Sequence, residues 1–129
     1  MVVRCERVSG SVAEDIALSF LIEKGMILLE RNWRWGHKEL DLVMKSICAK
    51  IGVQILHIIE VRSLTEPCAQ MPFESVNHKK RRAIISAAGG FVRVNNINFE
   101  TRFDIISVTF SSGGIYRLEY FQDAFTPEW

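Results

Sequence analysis

Apolar residues recur along this chain first at helical and then at strand spacing. Across residues 11–24, Val12, Ile16, Leu18, Phe20 and Leu21 make a broad apolar face with Ala13 and Ala17 filling it, which predicts a helix. Ser9 or Ser11 is placed to cap its start, and Gly25 to close it just beyond the C-terminus. Residues 26–35, 39–45 and 53–61 then read as strands, the last a nearly unbroken β-branched run, VQILHIIEV. Residues 46–52 carry no two-residue hairpin signature and predict a loose turn. A loop follows over 63–72, and a second helix over 75–94 with a basic opening, NHKKRR, and a small apolar body. Gly89 and Gly90 each weaken that helix by about 1 kcal/mol relative to alanine, so either it ends there or another element comes close. Residues 102–110 and 116–121 are the last strands, joined by SSGG, and 123–129 is a short tail. The predicted order is α-β-β-β-α-β-β, an α/β domain whose mixed sheet is flanked by helices.

The 129 residues suit one domain, and a chain of this size buries a core without staples. A net charge of +1 says almost nothing about partners, so local charge patterning matters more. Cys5, Cys48 and Cys68 show neither a CxxC pair nor zinc-ligand spacing, and read as free thiols of a reducing compartment. No signal-peptide pattern opens the chain and no apolar run approaches the roughly 18 residues of a membrane span; both point to the cytoplasm.

The chemistry concentrates in two short stretches, Glu39-Leu-Asp41 on the second strand and Glu60-Val-Arg62 ending the third. Strand residues two apart face the same way, so Glu39 pairs with Asp41 and Glu60 with Arg62 on their respective faces. If the two strands form a hairpin, the carboxylates converge at one end. Converging carboxylates repel one another unless a divalent cation neutralises them, and Mg²⁺ is typically held by one or two carboxylates, water and substrate phosphate. The plainer reading is a set of surface acids on a half-exposed sheet. Glu60 argues against it, because it follows a very apolar run where an unpaired acid is costly.

Several further motifs stand in order along the chain. Gly10, Glu14, Ala17, Leu21 and Gly25 fit a G-x-x-G-E-x-x-A-x-x-x-L-x-x-x-G helix, with Ala13 at the second glycine. Arg31-Asn32-Trp33-Arg34, Lys38-Glu39-Leu40-Asp41-Leu42 and Ile59-Glu60-Val61-Arg62 follow, then the basic helix start, Arg102-Phe103-Asp104-Ile105, and Asp123-Ala124-Phe125. Together they resemble the YraN-like family of small bacterial proteins, which are similar to archaeal Holliday junction resolvases and carry the restriction-endonuclease-like fold. The resemblance covers the chain from about Gly10 to its end and implies one such domain over 1–129. It implies a divalent-metal-dependent endonuclease acting on DNA, branched DNA included, with Mg²⁺ or Mn²⁺ on Asp41 and Glu60 and the Val61 carbonyl as third ligand. Glu14 would be a further acid near the metal, and Glu39 a supporting one. Relatives of this kind act as dimers, so a homodimer is also implied.

The chain departs from the family pattern at Arg62, where a lysine is expected. Arginine stabilises phosphoryl charge but does not act as a base, because its pKa stays above about 12. Lys38, Lys79 and Lys80 are the candidate replacements; the alternative is a nucleic-acid-binding protein of the same fold that has lost turnover. A third reading is a protein-interaction domain without nucleic acid, since fold does not dictate function. Lys79, Lys80, Arg81 and Arg82 could meet a phosphate backbone, with Lys38 and Arg34 nearby, or form a solvated helix face. Arg31, Trp33, Arg34 and Trp35 interleave cations with aromatics that could stack on bases or pack in the core. His37 and His57 suit ordinary polar roles, and Asp104 a strand anchor or an arginine partner.

Overall fold

The computed structural model describes residues 10–66 and 76–127. Its elements are α1 (Gly10–Glu23), β1 (Ile27–Trp35), β2 (Lys38–Ile47), β3 (Gln54–Thr65), α2 (His78–Val94), β4 (Glu100–Phe110) and β5 (Tyr116–Phe125). The five strands lie in one sheet in chain order. All neighbours are antiparallel except β3 and β4, which run parallel. Parallel neighbours need a crossover, and α2 supplies it. This is the mixed α/β arrangement, and the element order, expected from the sequence.

The helices cover opposite faces. On one, Ile84, Ala87, Ala88 and Phe91 of α2 pack over Leu40, Val43, Leu56, Ile58, Phe103 and Ile105. On the other, Ala13, Ala17 and Leu21 of α1 pack over Leu42, Met44, Ile59, Ile106 and Val108. Strand β3 is therefore covered on both sides, which explains its unbroken apolar run. The buried spine of α1 is Ala13–Ala17–Leu21, while Val12 is exposed. The face expected from the larger residues is thus displaced, because small side chains let the helix sit close to the sheet. Gly25 (φ 91°) closes α1 as expected, with Met26 N donating to Leu21 O and Gly25 N to Ile22 O. Ser11 lies inside the helix and Ser9 outside the described residues. Asn77 caps α2, its Oδ1 accepting from Lys80 N at 3.0 Å. The loop expected over 63–72 gives way to strand as far as Thr65, and residues 67–75 lie outside the described part.

Strand β5 continues to Phe125, four residues past its expected end at Phe121, and absorbs the difference in a bulge opposite Phe103–Ile105. Asp123 there adopts φ 51°, and its N–H donates to Asp104 Oδ1 at 2.8 Å. The fully buried Asp104 also bonds His57 Nδ1 (2.8 Å) and accepts from Tyr120 Oη (2.5 Å). His57 Nε2 meets Ser46 Oγ at 2.8 Å, so one polar chain ties β2, β3, β4 and β5 together. Asp104 is thus the anchor the sequence suggested, and the Tyr120 hydroxyl, buried against its carboxylate, is pushed far above the ordinary phenol range.

The glycine pair of α2 divides into two cases. The helix runs through both to Val94. A Cβ at Gly90 would lie 2.5 Å from the Trp35 ring, which stacks on Trp33, itself edge-on to Phe91. A Cβ at Gly89 would meet only Arg93 Nη1, at 3.7 Å. We expect Gly90→Ala to lose about 1–3 kcal/mol by overpacking. Gly89→Ala should gain up to about 1 kcal/mol from helix propensity, and urea unfolding of the two variants checks the opposite signs.

Candidate active site

The hairpin of β2 and β3 is in register from Ile47–Gln54 to Leu42–Ile59, and there the ladder stops. Leu40 joins the α2-side core whereas Leu42 joins the α1-side core, so side-chain alternation breaks at Asp41. The Asp41 carboxylate occupies the fork: its Oδ2 accepts from Val61 N at 2.9 Å, substituting a side chain for the missing ladder bond. Glu39 does not follow it into the fork. It is partly exposed, and its Oε2 lies 3.8 Å from Arg34 Nη2 on β1.

Glu60 is 4% exposed, and two cations converge on its Oε1: Lys80 Nζ at 3.2 Å and Arg62 Nη1 at 3.6 Å. Arg62 comes from the same strand, and Lys80 reaches in from the first turn of α2. Asp41, close to Glu60, is pushed up to about 7, first by burial and then by the Glu60 charge; the Val61 N–H and Lys80 pull the other way. Glu14 enters from α1. Its carboxyl is also raised, by burial and then by the charge of Asp41, against the hydrogen bonds of Arg31 and Asn32. Arg31 Nε lies 3.3 Å from Glu14 Oε1, while its Nη1 and Nη2 reach Asp15 Oδ1 (2.7 Å) and Ser11 O (3.2 Å). Asp41, Glu60, Arg62, Lys80 and Glu14 thus form one constellation drawn from α1, the sheet and α2.

The other sequence candidates lie elsewhere. Lys38 Nζ donates to Ser86 Oγ at 2.8 Å, Lys79 and Arg82 are exposed, and Arg81 Nε donates to Val76 O at 2.8 Å. Trp33 takes the core reading, buttressing Phe91. Sequence reasoning missed the part Arg31 and Asn32 play in holding Glu14. A signal was present in the asparagine inside an otherwise strand-like run, since that residue type is depleted in strands and enriched at positive φ; Asn32 has φ 54°.

Two adjacent carboxylates, Glu60 buried and Asp41 half-buried, form an oxygen donor pair of the kind a hard divalent cation takes. Among the described residues, no group of three or more His, Cys, Asp or Glu is arranged as a metal cage. Asp41 and Glu60 are the residues that could hold a divalent cation, which would need waters or other oxygens to complete its shell. The Val61 carbonyl is the backbone candidate.

Residues 13–108 match the family described as Uncharacterised protein family UPF0102. The chain belongs to this family. Among its UPF0102 relatives, a protein of Bacteroides fragilis is 35% identical over 118 residues, covering 92% of each chain. One from Porphyromonas gingivalis is 36% identical over 117 residues, 90% of this chain and 82% of the relative. Clostridium perfringens has a UPF0102 protein 33% identical over 118 residues. The YraN-like resemblance therefore holds along nearly the whole chain. UPF0102 membership carries no activity with it, so function is argued from the site.

Asp41 supplies a pH test. Folding raises its pKa from 3.8 to about 7, so the folded state binds this proton more tightly than the unfolded state. Without metal, stability should fall as pH rises from about 4 towards 7, with the penalty complete above 7. Asp41→Asn, which keeps an oxygen for the Val61 N–H, should be more stable than wild type at pH 8 in EDTA by on the order of 3 kcal/mol. The gap should close at pH 4. Urea unfolding at both pH values reads it.

Proposed function

We propose that this protein is a divalent-metal-dependent phosphodiesterase acting on DNA, branched DNA included. The observation that carries the reading is Lys80 Nζ at 3.2 Å from Glu60 Oε1, beside the Asp41–Glu60 pair. The strand position of the family's lysine holds Arg62, and an ammonium reaches the same carboxylate from α2. An acid pair with a lysine and an arginine at its edge has the groups that phosphodiester hydrolysis requires.

Each residue has a distinct part. Asp41, held by the Val61 N–H, and Glu60, held by two cations, would fix the cation and through it the scissile phosphate. A bound Mg²⁺ or Mn²⁺ supplies Lewis acidity towards the phosphoryl group and an activated water nucleophile. Arg62, always charged, is suited to the phosphoryl oxygens, whose charge grows as the bond breaks. Lys80, an ammonium paired with Glu60, would orient the attacking water through a hydrogen bond and add positive charge beside the phosphoryl group. Glu14, paired with Arg31, would hydrogen-bond water on the α1 side.

The rival is a nucleic-acid-binding protein without turnover, and the arginine at residue 62 is what favours it. The two separate on labelled linear, flapped and four-way-junction DNA with Mg²⁺ or Mn²⁺. Wild type should cut, Asp41→Ala should lose at least about 10³-fold, and Lys80→Met about 10²-fold. Folded wild type that binds DNA but never cuts, with cutting restored by Arg62→Lys, hands the protein to the rival.

A further inference from the structure

A second charged surface lies on the side of α2 turned away from Glu60. It is an open groove of about 970 Å³ between the outer face of α2 and the end of β5. Its cationic lining comes from Arg81, Arg82 and Arg93, with His78 beside them, spread along nearly the full helix rather than confined to its first turn, and no acidic residue among the described ones lines it. Among the described residues, no ion pair engages Arg81, Arg82 or Arg93, although acids elsewhere compensate Arg31, Arg34, Arg62, Lys80, Arg102 and Arg117. In a chain of net charge +1, that is a local concentration of positive charge not paired among the described residues.

The groove is also built. Arg81 is fixed by its Nε bond to Val76 O and by its guanidinium lying 5.5 Å from the Phe125 ring centroid. Its terminal nitrogens make no hydrogen bond among the described residues and can serve a ligand. Gly89 lines the groove and adds no side chain to it. Open shape and cationic lining are wrong for a buried apolar small molecule and right for an extended polyanion.

Lys80 and Arg82 are two residues apart on a helix of about 3.6 residues per turn, so they project from nearly opposite sides of α2. The proposed cleavage site and the arginine groove are therefore separated by about one helix diameter, roughly 10–12 Å. The major groove of a DNA duplex is about 12 Å wide. We propose that the groove seats a phosphodiester backbone of double-stranded DNA while the other backbone lies at the Asp41–Glu60 site, with the start of α2 between them. The proposal rests on the reading of that site given above and adds the class of substrate, a duplex arm rather than a lone strand.

Fluorescence anisotropy with a labelled 20-base-pair duplex and the matching single strand, over a salt series in EDTA, tests this. Arg82→Ala with Arg93→Ala should weaken duplex binding about tenfold or more and reduce the slope of log K against log salt by about 2, while Arg82→Lys with Arg93→Lys stays near wild type. Thermal melts confirm folding, and Arg82 and Arg93, as exposed helix residues, are replaceable without loss of core. Unchanged affinity and slope in the alanine pair, or equal binding of duplex and single strand by wild type, overturns the proposal. So does saturable binding of inorganic phosphate with none of duplex. Loss of binding in the alanine pair with no cleavage by wild type keeps the groove and removes the nuclease; cleavage with an alanine pair indistinguishable from wild type does the reverse.

Discussion

One hydrogen bond, from the Val61 N–H to the Asp41 carboxylate, sets the arrangement of the whole site. Two antiparallel strands end their pairing beside Asp41, and the acid that separates them also satisfies the strand it has released. An open ladder end would leave a buried amide without a partner, at a cost of about 1–3 kcal/mol. Here that amide fixes a carboxylate instead. The two helices, on opposite faces, then reach the same end of the sheet from both sides, α1 with Glu14 and α2 with Lys80.

Two aspartates of the sheet, Asp104 fully buried and Asp41 half-buried, are satisfied to different degrees. Asp104 contacts an imidazole, a hydroxyl and a backbone amide, and all the elements around it gain order from the exchange. Asp41 has one amide and an acidic neighbour, and its pKa climbs towards neutrality. Fully satisfied networks rigidify a fold, whereas a partly satisfied acid keeps oxygen capacity that no protein group takes up. The two lie close in the sheet, Asp104 standing in register with Ile59, the residue before Glu60.

Much of this was readable in the sequence because it depends on local pattern. The β-branched run of β3, the left-handed Gly25 and the convergence of Asp41 with Glu60 follow from periodicity and chain direction. What escaped depends on packing between distant segments. The buried face of α1 is chosen by close approach to the sheet, so alanines won over isoleucine and phenylalanine. The extra residues of β5 are held in a bulge by a carboxylate on another strand, which no local rule anticipates. Glu39 was misplaced with Asp41 because strict alternation was assumed through a residue where it fails. Lys80 could be nominated as a substitute for the missing lysine, but only the docking of α2 selects it over Lys38 and Lys79.

The contact between Trp35 and Gly90 has a consequence on a longer timescale. The indole occupies the volume that any side chain at residue 90 would need, so the two positions share a single space despite their distance along the chain. Neither can drift freely: a larger residue at 90 becomes acceptable only after the ring at 35 has shrunk, and once it is installed the tryptophan cannot return. Within a lineage that pair behaves as a ratchet, and the order in which its two halves change is dictated by sterics rather than by selection on activity.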